Sequence, residues 1–299
     1  METSGKIAVT GGSGFVGRAL CLRLRGLGYE VVALRSRHAG PGGFDADTGY
    51  VDLAALQGAR AIVHLAGEPI AQRWSEAAKG RILASRRDGT RALARAAAAL
   101  DRRPEAFIAM SGINRYGTRR VEPCDESSSP RTDSFLAEVT AAWEEAAVPA
   151  AEAGIRTVFL RTGMVLAPEG GALKKMLPAF RLGLGGPIGG GRQRVSWIAL
   201  PDLIELIVWS LRTPAIAGPL NAVAPRPATQ GEFARALGTA LGRPAFLPLP
   251  SWVISLLFGQ MGRETVMGDL EVRPQVALSH GFRFAAADLP AAFRLVLRG

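Results

Sequence analysis

Reactive side chains are scarce in this chain of 299 residues. It has two cysteines, Cys21 and Cys124, which excludes a disulfide framework and a cysteine-rich metal centre. Its histidines, His38, His64 and His280, stand far apart, and no His/Asp/Glu group has metal-ligand spacing, so no metal is expected. Lysine occurs only at Lys6, Lys79, Lys174 and Lys175, so the formal net charge of +10 is made by arginine. The arginines are scattered, without aromatic–basic interleaving, and no nucleic-acid partner is expected. Long apolar runs are missing too. Trp252 to Phe258 is far too short to span a bilayer, so no membrane partner is expected and the run reads as a buried or partner-facing helix. No Gly-Lys-Ser/Thr ending marks a nucleotide-hydrolysing loop, and no Gly-x-Ser-x-Gly elbow marks a hydrolase. The first strand begins within a few residues, so no signal peptide is expected and the location is read as cytoplasmic.

What is present begins at once. Lys6-Ile7-Ala8-Val9-Thr10 is an apolar strand that runs into Gly11-Gly12-Ser13-Gly14-Phe15-Val16-Gly17, and Arg18 to Leu24 continues as a helix. Gly11, Gly14 and Gly17 fit G-x-x-G-x-x-G, and Gly12, Gly14 and Gly17 fit G-x-G-x-x-G. A strand, a glycine turn and a helix N-terminus form a dinucleotide site, because backbone without Cβ can approach a pyrophosphate and the helix end offers N–H groups to it. A glycine-rich turn without a ligand is the bland alternative. The second strand, Glu30 to Leu34, is followed by Arg35-Ser36-Arg37, with no Asp or Glu to take ribose hydroxyls. Arginine and serine there suit a 2′-phosphate, which predicts NADP(H); solvated surface arginines are the alternative reading.

Hydrophobic content of 48% supports a sizeable core. Strands and helices alternate to about residue 165, which predicts an α/β, Rossmann-like, doubly wound parallel sheet. The division expected is a cofactor-binding domain over 1–165 and a smaller, glycine- and proline-rich substrate lobe over 166–299. The two are expected to interweave, because Asn221-Ala222-Val223 reads as a returning strand. In such sheets ligands sit at the carboxyl ends of the strands. That rule selects Gly11, Gly14, Phe15, Val16, Gly17, Arg35 and Ser36, then Leu65, Ala66, Gly67 and Glu68, then Ser111, Thr162 and Gly163. Phe135 to Ala153 reads as one long helix, Asp202 as the cap of a helix starting near Leu203, and His64 as a core histidine.

Thr10 to Gly17, Leu65-Ala66-Gly67, Ser111 with Tyr116-Gly117, and Trp197-Ile198 with Asp202 resemble the extended short-chain dehydrogenases/reductases of the NAD(P)-dependent epimerase/dehydratase superfamily. His64 to Ile70, Arg73-Trp74, Ser85-Arg86, Phe135 to Val139 with Trp143-Glu144, Leu160 to Gly163 and Gly183 to Gly189 resemble its atypical epimerase-family, cell-division-inhibitor-like branch. The resemblance implies a Rossmann fold, bound NADP(H), an unidentified small-molecule substrate, and a homodimer or protein partner. Enzymes of the superfamily use Tyr-x-x-x-Lys, in which lysine lowers the tyrosine pKa for proton transfer. Here Tyr29, Tyr50 and Tyr116 are followed four residues later by Ala33, Ala54 and Arg120. Counting back from Glu144 puts the tyrosine position at Phe135 or Leu136 and the lysine position at Val139 or Thr140, and the usual serine position falls on Gly112. Ser111 is then the candidate catalytic residue. The chain reads as an NADP(H)-dependent oxidoreductase or epimerase acting on a small polar substrate, with a non-catalytic NADP(H)-sensing protein as the alternative.

Overall fold

The computed structural model describes residues 5–297. Its strands are β1 (Lys6–Thr10), β2 (Glu30–Ser36), β3 (Gly43–Asp45), β4 (Tyr50–Val51), β5 (Ala59–His64), β6 (Ala106–Gly112), β7 (Arg156–Thr162), β8 (Met164–Leu166), β9 (Arg194–Val195), β10 (Trp197–Ala199), β11 (Gly218–Ala222) and β12 (Ala228–Thr229). The helices are α1 (Phe15–Gly26), α2 (Leu53–Leu56), α3 (Glu76–Ala98), α4 (Phe135–Glu145), α5 (Val148–Glu152), α6 (Gly171–Arg181), α7 (Leu200–Arg212), α8 (Gln230–Leu241), α9 (Ser251–Glu264), α10 (Gln275–Ser279) and α11 (Leu289–Leu297).

The central sheet runs β11-β7-β6-β5-β1-β2-β3-β4. Every pair in it is parallel except β3–β4. Strand order reverses at β1, which has β2 on one side and β5 on the other. The crevice at the carboxyl ends of β1 and β5 is therefore the switch point, where open α/β sheets take ligands.

The strand sequences explain why helices cover both faces. Ile7 and Val9 of β1 join Leu20 and Leu24 of α1 and Leu203 and Ile207 of α7 on one face. Ala8 between them joins Ile62, Phe107 and, from α3, Leu93 and Ala97 on the other. A strand buried on both sides reads as an unbroken apolar run rather than an alternating one. A third core, with Trp197, Phe233 and Phe293, holds α6, α8 and α11 together. Residues 218–222 return to the edge of the main sheet beside β7.

Two local expectations are corrected. The helix expected over Phe135 to Ala153 is two helices, α4 and α5, and Pro149 stands in the first turn of α5. Proline lacks the N–H that an interior helical position would donate, and it is best accommodated in a first turn. Asp202 does not cap its helix: α7 starts at Leu200 with Ala199 as N-cap. The Asp202 carboxylate instead accepts from the backbone N–H groups of Ala285 (2.7 Å) and Ala286 (2.9 Å), tying the C-terminal segment to α7. Burial raises its pKa, and those two donors oppose the rise.

Candidate functional site

The glycine turn after β1 is built for close approach. Gly11 has φ of +70°, and a Cβ on it would stand 2.8 Å from the Ala66 nitrogen. On Gly17 a Cβ would stand 2.1 Å from the Gly11 carbonyl oxygen. Neither position tolerates a side chain without moving backbone. Gly14 N–H donates to the Gly11 carbonyl at 3.0 Å, and Arg18 N–H to Gly14 at 2.8 Å, so α1 begins directly from the turn. No side chain caps α1 and no acidic residue lies in its first turn. The N–H groups at Phe15, Val16 and Gly17 thus keep the partial positive charge of a helix start. Phe15 packs against Gly170, where a Cβ would come 2.4 Å from the ring, which brings the start of α6 to the start of α1.

At the end of β2, Arg35 is exposed and donates from Nη2 to the Pro41 carbonyl (2.6 Å) and towards His38 Nε2 (2.9 Å). Neither partner carries a negative charge, so its own charge is not compensated by them. Ser36 is exposed beside it. Arg37 takes φ of +57° and pairs with Glu68, Nη2 to Oε2 at 2.6 Å. Gln72 and Arg81 also reach the Glu68 carboxylate, at 3.1 and 3.7 Å. Glu68 is thereby neutralised across the cleft from the end of β2.

The end of β5 is fixed through its histidine. His64 is fully buried, with Nδ1 2.6 Å from Thr10 Oγ1 and Nε2 2.9 Å from Thr90 Oγ1. Burial first, and Arg86 second, depress its pKa to about 3, so the ring stays neutral and is no general base at neutral pH. Thr10 Oγ1 also accepts from Ala66 N–H at 3.3 Å, and Leu65 N–H donates to the Thr10 carbonyl at 3.3 Å. Leu65 and Ala66 are therefore held by β1, directly opposite Gly11.

Arg86 escaped the reading of the sequence as a site residue. It lies on α3, buried, with Nη1 donating to the carbonyls of Glu68 (2.9 Å) and Ile82 (3.3 Å). Its guanidinium stacks on Trp143 at 4.7 Å, and a Cβ on Gly67 would come 3.2 Å from its central carbon. Burial pulls its pKa down to about 10, against the pull of Glu68. Among the described residues no carboxylate forms an ion pair with it. The available signal was an arginine on the apolar stripe of a helix, in register with Ile82 and Leu93, where such a charge stays only if something uses it.

Ser111 is placed differently from the strand-end residues around it. It is buried, and its hydroxyl donates to Glu144 Oε1 at 2.9 Å. Glu144 in turn takes two bonds from Arg161, both 2.8 Å, and lies 3.5 Å from Arg115. Arg161 donates on to the Tyr116 hydroxyl (3.0 Å), which donates to Asn221 Oδ1 (2.8 Å). Burial raises the Tyr116 pKa, so this phenol is a structural donor. The Ser111 proton is committed to a buried network that locks β6, β7, β11 and α4 together. On α4 the side chain facing Gly112 is Thr140, whose methyl would stand 3.2 Å from a Cβ there. Its hydroxyl donates back to the carbonyls of Leu136 (2.9 Å) and Ala137 (3.0 Å). Glu138 is exposed on the opposite side of that helix.

The last strand end joins the ring through register, since Gly112 pairs with Thr162 and Thr10 with His64. Thr162 Oγ1 is 2.9 Å from Met110 Sδ, and Gly163 passes so close to β10 that a Cβ would come 2.5 Å from the Ser196 carbonyl oxygen. On the other side of the crevice Lys175 of α6 donates to the Ala71 carbonyl at 3.2 Å. Among the described residues no group of His, Cys, Asp and Glu could hold a metal ion, and no helix is long and apolar enough to cross a membrane.

Residues 7–222 match the NAD dependent epimerase/dehydratase family, and residues 249–296 match a domain of unknown function, DUF1731. The chain is 39% identical over 296 residues to epimerase family protein SDR39U1 of Bos taurus, covering 98% of this chain and 99% of the relative. It is 33% identical over 296 residues to epimerase family protein YfhF of Bacillus subtilis, covering 95% of each. The crystal structure of human epimerase family protein SDR39U1 with NADPH superposes with a TM-score of 0.90 at 37% identity, over 98% of this chain and 99% of that one.

Proposed function

The chain belongs to the NAD dependent epimerase/dehydratase family, and from that premise we propose that it holds NADP(H) at the carboxyl ends of β1, β5, β6 and β7 and acts as an oxidoreductase or epimerase on a small polar molecule. The observation that carries the reading is the cradle of Gly11 and Gly17 under an uncapped helix start, where any Cβ would strike backbone. Its backbone N–H groups at Phe15, Val16 and Gly17 receive the pyrophosphate. Arg35, with Ser36 beside it, takes the 2′-phosphate, because neither of its partners carries a negative charge. Leu65, Ala66 and Gly67 form the wall under the ribose, with Glu68 held out of the way by Arg37. Arg86 supplies a second cation beneath Gly67, and Thr162 and Gly163 border the nicotinamide end. In this scheme residues 1–165 form the cofactor half and 166–299 the substrate lobe. That the relative SDR39U1 was crystallised with NADPH supports the assignment.

The bound cofactor supplies hydride chemistry. The chain's own residues orient the substrate and exclude water, and they offer no conventional proton relay. The tyrosine position of the superfamily falls on Phe135 or Leu136 and the lysine position on Val139 or Thr140, and a phenyl or alkyl side chain moves no proton. Ser111 gives its hydrogen to Glu144, so the proton comes from water. The same observation favours a second reading, an NADP(H)-sensing protein without turnover. A screen of carbonyl compounds with saturating NADPH, followed by loss of the reduced nicotinamide absorbance, separates an oxidoreductase from the sensor. Under the first reading at least one polar carbonyl is reduced, and Ser111→Ala keeps that turnover. Tight NADPH binding with no turnover on any compound supports the sensor and overturns the oxidoreductase.

A further inference from the structure

The C-terminal lobe carries an apolar surface that its own chain leaves uncovered. Phe246, Trp252, Leu256 and Leu257 are 71%, 66%, 76% and 61% exposed, and Leu182 and Leu184 are 74% and 60% exposed. They form one surface, because residues 245–250 run beside the 184–189 loop: Leu247 N–H donates to Gly185 (3.2 Å) and Leu249 N–H to Pro187 (2.8 Å). α9 follows immediately, and Gly189 lies within contact of Ser251. Single exposed apolar side chains need no explanation, but a contiguous patch of this kind marks a surface that meets something apolar.

Its charge identifies the occupant. The segments 171–192 and 243–264, which build the patch and its margins, contain Lys174, Lys175, Arg181, Arg192, Arg243 and Arg263 against a single carboxylate, Glu264. Those six cations are all exposed. Glu264 is turned inward, accepting from Leu136 N–H at the start of α4 (3.0 Å), so it does not offset them. A second copy of the chain would bring two cationic rims together, at a Coulombic cost. The apolar side chains stand on α9 and on irregular segments, each more than half exposed. Protruding Trp, Phe and Leu beside Lys and Arg are the composition of a segment that lies in the headgroup layer of an anionic bilayer. We infer that this face of the C-terminal lobe, centred on Trp252 and Leu256, binds the surface of anionic membranes without spanning them. Loss of membrane contact is not expected to disturb the cofactor crevice, since Trp252, Leu256, Arg181 and Arg243 do not belong to it.

The test is co-sedimentation of the full chain with phosphatidylcholine vesicles, with and without phosphatidylglycerol. Partitioning at least about tenfold stronger to the anionic vesicles is expected, falling steeply with added salt. The wild-type minus Trp252→Phe difference spectrum should shift to shorter wavelength on binding, because that indole leaves water. Trp252→Ser/Leu256→Ser should lose binding, and Arg181→Glu/Arg243→Glu should lose the preference for anionic lipid. Since all four side chains are exposed, unchanged thermal unfolding in these variants is the control. Failure of wild type to bind anionic vesicles overturns the inference. So does equal binding to both vesicle types, or a lipid-free dimer that Trp252→Ser/Leu256→Ser abolishes while wild type stays off the vesicles.

Discussion

Gly17→Ala is expected to weaken NADPH binding at least about a hundredfold, equivalent to roughly 2.7 kcal/mol. The added methyl would sit 2.1 Å from the Gly11 carbonyl oxygen and 2.8 Å from the Gly12 α-carbon. Both neighbours are backbone, so no side chain can swing aside. The turn must open, which moves the first N–H groups of α1 away from the position where they converge. Gly26→Ala in the same helix is the control, because nothing lies within 4 Å of a Cβ there. Calorimetric titration with NADPH reads the effect. An affinity for Gly17→Ala within a few-fold of wild type would show that the turn does not hold the phosphates.

Glu144→Ala should lower folding stability by about 3–5 kcal/mol, the cost of leaving a buried charge without its partner. Glu144 and Arg161 have side chains only 11% and 6% exposed. Burial opposes the Arg161 charge, and the Glu144 carboxylate with its two hydrogen bonds, helped by Tyr116, more than restores it. Removing the carboxylate also strips the acceptor from Ser111 and the ion pair from Arg115. Urea unfolding of Glu144→Ala, Arg161→Met and the double variant checks this. The double variant should recover a large part of the loss, since two neutral side chains need no compensation. Strictly additive losses would mean that the two residues are not coupled as described.

Much of the crevice was legible because its signals are local. Gly11, Gly14 and Gly17 lie within seven consecutive positions, and the positive φ of Gly11 and the close approach at Gly11 and Gly17 suit only glycine. The strand ends at Leu65, Ser111 and Thr162 followed from apolar runs and the rule that ligands sit at carboxyl ends. What could not be read depends on partners far away in sequence. Asp202 looked like a helix cap because aspartate often is one, yet its acceptors are used by Ala285 and Ala286, more than 80 positions on. The Arg37–Glu68 pair joins two strand ends, and nothing in either segment announces the other. Ser111 stands out in sequence by its place at a strand end, while its partner Glu144 comes from a helix 33 residues later. Arg86 was hidden because charge on a buried stripe is rare and composition alone cannot say which arginine bears it. The apolar run at Trp252 allowed both a buried and a partner-facing helix, and its exposure is decided by what the rest of the lobe leaves uncovered.

The central claim is that the crevice selects NADP(H) through Arg35. Side-by-side calorimetric titration of wild type and Arg35→Ala with NADPH and NADH tests it most directly. Wild type should bind NADPH at least about tenfold more tightly than NADH, and Arg35→Ala should erase that preference while leaving NADH affinity unchanged. Equal affinity of wild type for the two cofactors, or a preference that survives Arg35→Ala, would contradict it.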